Sequence, residues 1–383
     1  SAVLCLWLGA ATSPPASGGG FKVQDQSSRG MSMADAFVAG ADDASAVYYN
    51  PAGIARLSRP EIMGNLYLAH ADIYYENGTD ETSDNKLFLV PSGYMASPTC
   101  CNDRLYLGLG LYTPFGLGTR WDPDAPMSQV SQEGEIELVN VNPTAAFRIT
   151  DSLRLGVGAD YFISSATFSR YVGPAKWKIE GDGDGWGYNL GLQWDCRPDV
   201  TLGVTYRSPV DVDYDGDWNF GAANADAGAL IEYPAVWAIA ASWQTTRKLR
   251  LELTAEWSEW SIRETQTYDI AGQAPVIQPA DWNDAWVFML GGEYSLNDKW
   301  TLRGGYGYNE TPVPDRTAEP SLPAGNTHAL SAGAGYRLTD NLTIDGAILV
   351  AYSEERTISL GSPYDGDYDA LATHFAMGVR YQF

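Results

Sequence analysis

Positive charge is scarce in this 383-residue chain, with 24 Lys and Arg against 48 Asp and Glu and a formal net charge of −24. Nucleic-acid binding needs a basic face to meet phosphate, so that class of partner is excluded. Histidine is scarcer still: only His70, His328 and His374 occur. They are joined by no Gly-x-Ser-x-Gly elbow and no metal-ligand spacing, so the chain is read as a non-enzyme with no cofactor and no metal. The stretch GDGDG, Gly181 to Gly185, lacks the spacing and closing glutamate of an EF-hand and is read as part of an acidic outer loop. Long apolar runs are absent too. No segment approaches about 18 apolar residues, which excludes transmembrane helices, and mean hydropathy is only −0.23. Cysteine is limited to four residues. Cys100 and Cys101 fall in one expected turn and Cys196 in another; sequence neighbours bridge each other poorly, and the spacing leaves any pairing open.

What is abundant is glycine and aromatic residues, with Gly 40, Tyr 23 and Trp 13. Near the start, AVLCLWLGAA from Ala2 to Ala11 is an apolar run of about ten, the length of a signal-peptide core rather than of a membrane span. Small residues follow at Ala16, Ser17 and Gly18, so residues 1–18 are read as a residual signal peptide cleaved near Gly19, with its basic start missing. Leu4 ahead of Cys5 is too large for a lipoprotein signal. Export to an oxidising compartment is the consequence. Residues 19–59 then read as a small, turn-rich unit. Its clearest punctuation is Asn50-Pro51, because proline fixes its own φ and pushes the preceding residue out of the helical region.

From Glu61 onward the pattern has period two. In LRLGVGADYFI the residues Leu153, Leu155, Val157, Ala159, Tyr161 and Ile163 share one face, and Arg154, Gly156, Gly158, Asp160 and Phe162 share the other. Leu105, Leu107, Leu109 and Leu111 repeat it, as do Leu249, Leu251 and Leu253. Short links are expected at Pro98–Asp103, Thr150–Ser152, Cys196–Asp199, Thr246–Lys248, Leu296–Lys299 and Thr339–Asn341. Between them fall long Asp/Gly/Pro-rich links at Glu76–Asn85, Trp121–Gly134, Trp177–Gly185, Asn219–Glu232, Asp269–Asp284, Asn309–Asn326 and Ser359–Ala370. Strict alternation of short and long links predicts an all-β fold, a fourteen-stranded antiparallel transmembrane barrel over residues 60–383 with its short turns in the periplasm. A soluble sandwich has no reason to sort its loops by length. The final alternation Phe375, Met377, Val379, Tyr381 and Phe383, ending on an aromatic, is the pattern of a closing strand in the bacterial outer membrane.

The segment GFKVQDQSSRGMSMADAFVAGADDASAVYYNPAGIARLSRPEI resembles the N-terminus of the outer-membrane transporters of long-chain fatty acids and toluene. The resemblance continues through YTPFGLGTRW, NVNPTAAFRITDSLRLGVGADY, YRSPVDVDYDGDW, AEWSEWS and LRGGYGYNETPVPD, and so covers nearly all of the mature chain. It implies a helical hatch, residues 19–59, plugging the lumen of the barrel, with Asn50, Pro51 and Ala52 matching the hatch motif. It implies an inward kink at Pro114, Phe115 and Gly116 of the third strand, where proline and glycine disfavour a ladder, opening a window in the wall. It also implies a lumen pocket for substrate built from Phe21, Phe162, Phe168 and Arg170, the arginine holding a carboxylate by charge-assisted hydrogen bonds. Fatty-acid members add a lysine before the tenth strand, whereas VIQPADWNDAW, Val276 to Trp286, has no cation. The expected partners are hydrophobic small molecules, fatty acids or aromatic hydrocarbons, with outer-membrane lipid and lipopolysaccharide around a monomer. The function expected is passive uptake of these compounds across the bacterial outer membrane. The alternative is a general diffusion porin or a structural barrel, which would need no plug of about 40 residues.

Overall fold

The computed structural model of the protein describes residues 19–78, 80–84, 87–100 and 102–383; the expected signal peptide lies outside them. Fourteen antiparallel wall strands occur among the described residues: β1 (Glu61–Glu76), β2 (Phe88–Pro98), β3 (Leu105–Tyr112), β4 (Glu133–Arg148), β5 (Leu153–Val172), β6 (Ala175–Arg197), β7 (Val200–Arg207), β8 (Val236–Gln244), β9 (Leu249–Ser258), β10 (Ala285–Ser295), β11 (Trp300–Asn309), β12 (Thr327–Arg337), β13 (Leu342–Ser353) and β14 (Gly366–Gln382). Each pairs with its sequence neighbours, and β1 pairs with β14 from Glu61↔Gln382 to Glu76↔Asp367, which closes the sheet. Closure leaves no open edge, the condition for a sheet to cross hydrocarbon.

The side chains sort as a lipid solvent demands. Leu155, Val157, Ile239, Leu253, Leu290, Leu330, Phe375 and Met377 are exposed on the outer surface. Arg154, Asp160, Gln193, Glu252, Thr254, Arg303 and Asp345 are buried on the lumen side. Water would reward the opposite arrangement. Exposed aromatics mark two belts: Trp194, Trp243, Tyr294, Trp300 and Tyr381 toward the short turns, and Trp186, Trp237, Trp286, Tyr306 and Tyr352 toward the long loops. Trp237 and Trp243 are six residues apart on one strand. At about 3.3 Å of rise per residue that is about 20 Å, close to the height of an outer-membrane apolar band. At one short turn, the Cys196 thiol donates to the Val200 carbonyl at 3.5 Å.

Three of the expected long links are corrected. Trp177–Gly185 and Asn219–Glu232 are strand, not loop: β5 and β6 are joined by a tight turn at Gly173-Pro174, and an outer hairpin of Val210–Phe220 and Ala223–Tyr233 turns at Gly221-Ala222. Much of Asp269–Asp284 is likewise paired, as Thr265–Ile270 with Val276–Pro279. The glycines of GDGDG serve close packing, for a Cβ on Gly183 or Gly185 would overlap the carbonyl oxygen of Asp213 or Asp211. Asp182 and Asp184 alternate with them and face outward.

Residues 21–57 lie almost wholly buried within the ring of strands. They form two short helices, α1 (Ser28–Met31) and α2 (Ala46–Tyr49), and a 3-10 turn at Pro51–Arg56. Such short helices are not stable alone. Wall side chains hold them: Glu252 of β9 accepts the backbone N–H groups of Val38, Ala39 and Gly40 at 2.6 to 2.8 Å. Arg29 pairs with Asp42 at 2.7 Å, Asp43 at 3.0 Å and Glu293 of β10 at 3.2 Å, and Arg303 joins Glu293 to Asp345. Buried charges are tolerated because each is paired.

Candidate functional site

The lumen holds a cavity of about 110 Å³ on the long-loop side of these residues. Its apolar lining includes Phe21, Ile136, Phe168, Trp177, Trp282 and Leu322. Strand parity carries Arg170 onto the same face of β5 as Arg154 and Asp160, so its guanidinium reaches this space. It lies 5.2 Å from the centre of the Trp177 ring, and its Nε has no hydrogen-bond partner among the described residues. Of the four expected substrate residues, Phe21, Phe168 and Arg170 meet at the cavity. Phe162 does not line it; it sits deeper, fully buried, 6.1 Å from Phe115 and 5.7 Å from Tyr233 between ring centres.

Two charged residues here were not singled out in the sequence. Arg263, just past a single 3-10 turn at Trp260–Ile262, stacks over Phe21 at 5.1 Å and Trp282 at 5.0 Å. Its Nη2 donates to Gln266 at 3.1 Å, and its Nε is unpartnered among the described residues. Glu319, from the long link between β11 and β12, closes the other side. Burial pushes its carboxyl above the usual carboxylate range, against the pull of Arg263 and Arg170. The available signal was composition, because a cation is rare in loops this acidic.

Phe21 forms the floor. Its ring lies 4.7 Å from that of Trp260, 5.6 Å from Trp282 and 5.7 Å from Tyr233. Gly20, at φ +75°, lets the chain pass over Trp260, which a Cβ would strike. Lys22 pairs with Glu256 of β9. A second cavity of about 50 Å³, beyond Phe21, is lined by Lys22, Tyr48, Phe115, Arg207 and Glu256.

The third strand breaks beside this floor. Its ladder stops at Tyr112 and resumes at Leu117–Arg120 against β4. Between them Thr113 and Phe115 are buried, turned to the lumen. The backbone groups of Pro114 and Gly116 pair with the N-terminal segment instead of the wall: Val23 N donates to Pro114 O, and Gly116 N to Phe21 O, both at 2.9 Å. β2 pairs with β3 from Gly93 to Pro98 and with β1 from Phe88 to Ala96. On β4, Glu137, Leu138 and Val139 fall between the two ladders.

Asn50 ties the segment to the opposite wall. Its Nδ2 donates to Val38 O and to Leu192 O of β6, both at 3.1 Å, while its Oδ1 accepts from Ala52 N at 3.2 Å. Pro51 opens the 3-10 turn, where a missing N–H costs nothing. Gly156 and Gly191 make room, because a Cβ on either would overlap Pro51 or Asn50.

Residues 9–383 match the family model described as outer membrane protein transport protein (OMPP1/FadL/TodX). A long-chain fatty acid transport protein of Escherichia coli O6:H1 is 24% identical over 95% of this chain and 94% of its own length. Among solved structures, a Pseudomonas aeruginosa FadL homologue superposes with a TM-score of 0.87 at 22% identity, covering 96% of this chain and 100% of that one. The Ralstonia pickettii toluene transporter TbuX gives a TM-score of 0.77 at 19% identity, covering 93% of this chain and 98% of that one. With a closed fourteen-strand barrel and a family match over nearly its whole length, this chain belongs to the OMPP1/FadL/TodX family of outer-membrane transport proteins, and it is a transport protein of the outer membrane rather than an enzyme.

Proposed function

We propose that the protein is a passive channel for hydrophobic compounds, and for long-chain fatty acids before neutral aromatics. The observation that supports this choice is Arg170, a cation facing an aromatic cavity without a protein hydrogen bond to its Nε. A carboxylate would fill that position with strong charge-assisted bonds, whereas a hydrocarbon would leave the Nε–H without an acceptor.

Ligand enters among the outer loops and reaches the cavity above Phe21. About 110 Å³ is the scale that admits one small ring, so a long chain has to displace the Phe21 floor. Residues 19–59 act as the hatch, anchored by Asn50 and Glu252 while the segment around Phe21 shifts. The side route is favoured for exit. An axial path would drag an apolar chain through the Arg29, Glu293 and Arg303 network, at the cost of breaking buried ion pairs. The break at Thr113–Gly116 is lined instead by Phe115 and Leu138.

Planar-bilayer conductance combined with uptake of labelled oleate into cells tests the proposal. Low, flickering ion current with protein-dependent oleate uptake is expected. A large, steady current without oleate uptake would replace this reading by a diffusion porin.

A further inference from the structure

We propose that Glu319 is a specificity-determining residue of the outer cavity: the protein's own carboxylate, it offsets Arg170 and Arg263, so the cavity takes amphipathic anions more tightly whenever Glu319 is neutral. This rests on the reading of the cavity as the ligand site.

Four charged side chains line the cavity; Glu133 is paired with Arg120 and Lys176, which leaves two guanidiniums and one carboxylate, those of Arg170, Arg263 and Glu319. They do not cancel by contact. No ion pair within 4.0 Å joins Glu319 to either arginine among the described residues, and both arginines keep an unpartnered Nε. The charges therefore stand around the space that a head group would fill. With Glu319 ionised, the three sum to one positive charge; with Glu319 protonated, to two. Arginine stays charged throughout.

The other groups facing Glu319 and its partners do not reproduce this behaviour. Tyr268, from the Thr265–Ile270 strand, and Tyr364, ahead of β14, interact with Glu319 and stay neutral below about pH 10. Tyr233 beside Arg263 does the same. Glu133 of β4 is occupied by Arg120 and Lys176. Glu232 is the competitor: it neighbours Arg263, and burial together with Asp211 pushes its carboxyl up too. It does not line the cavity.

The sign follows. Burial raises Glu319 above the ordinary carboxylate range, so lowering the pH neutralises it while the ligand anion persists, and anion affinity rises. A neutral ligand feels no such change.

Octyl sulfonate, ionised at all accessible pH, and octanol, neutral throughout, are the probes. Their equilibrium binding to the purified barrel is measured between about pH 8 and about pH 5, with heat-modifiable migration as the check on assembly. Wild-type protein should bind octyl sulfonate more tightly at the acid end, up to the about tenfold that one added charge near the anion implies, and octanol equally at both. Glu319→Gln should bind the sulfonate tightly and without pH dependence, while Glu232→Gln should keep the wild-type slope. Arg263→Gln should weaken sulfonate binding and spare octanol, a second reading if Glu319→Gln does not assemble. A slope that survives Glu319→Gln, disappears in Glu232→Gln, or is shared by octanol overturns the proposal. Wild-type protein that binds neither probe would overturn the reading of the cavity itself.

Discussion

At the scale of single residues, charge in the wrong solvent is the most informative signal. Arg170 continues the lumen parity of β5, so its position follows from counting alternate residues after Asp160. Arg263 could not be found that way, because it follows a 3-10 turn in which parity is lost. Val276–Trp286 holds no cation, and Arg263, thirteen residues before Val276, lines the same cavity as Arg170. If Arg170 receives a carboxylate, Arg170→Ala should weaken fatty-acid binding by about 1.5 to 3 kcal/mol, the range for a hydrogen bond to a charged group. Binding of a neutral hydrocarbon of similar size should hardly change, and equal losses in a titration of both ligands would remove Arg170 from this role.

At the scale of elements, the period-two pattern made the wall strands legible and misled where glycine entered. Composition places Gly181, Gly183 and Gly185 in a loop, yet they alternate with acids along β6 and sit where a facing backbone leaves no room for a side chain. Turn chemistry and close approach use the same residue, and only the partner strand separates them. The kink was easier, because Pro114 cannot donate and Gly116 adds little to a strand. Pro114→Thr with Gly116→Val restores a donor and strand preference, and neither change adds charge to the lipid face. Normal assembly and normal binding at the outer cavity are expected, with delivery of ligand into liposomes slowed severalfold. Undiminished delivery, with a straightened third strand seen in a crystal structure, would assign exit to the barrel axis.

At the scale of the whole molecule, the barrel and the buried N-terminal segment meet through two kinds of contact. Ion pairs and captured N–H groups at Arg29, Glu252 and Asn50 fix the lower part. The upper part, Phe21 to Val23, rests on a few backbone bonds to the broken strand, one ion pair and aromatic packing. Nothing in the sequence pattern alone separates these two regions, because the distinction lies in which wall residues each one meets. The weaker attachment sits between the two cavities, where the proposed route requires motion.

That motion can be blocked directly. Lys22 and Phe115 face each other as an antiparallel pair, flanked by the bonds from Val23 N to Pro114 O and from Gly116 N to Phe21 O. Such a narrow pair brings the two Cβ atoms within reach of a disulfide. In a Lys22→Cys, Phe115→Cys double variant, oleate uptake is measured in the oxidised and the reduced state of the same protein. The account predicts that oxidation stops uptake and that reduction restores it, with the barrel equally heat-modifiable in both states. Equal uptake in the two states, with the bond confirmed by mass spectrometry, would contradict the claim that ligand passes by moving the segment at Phe21.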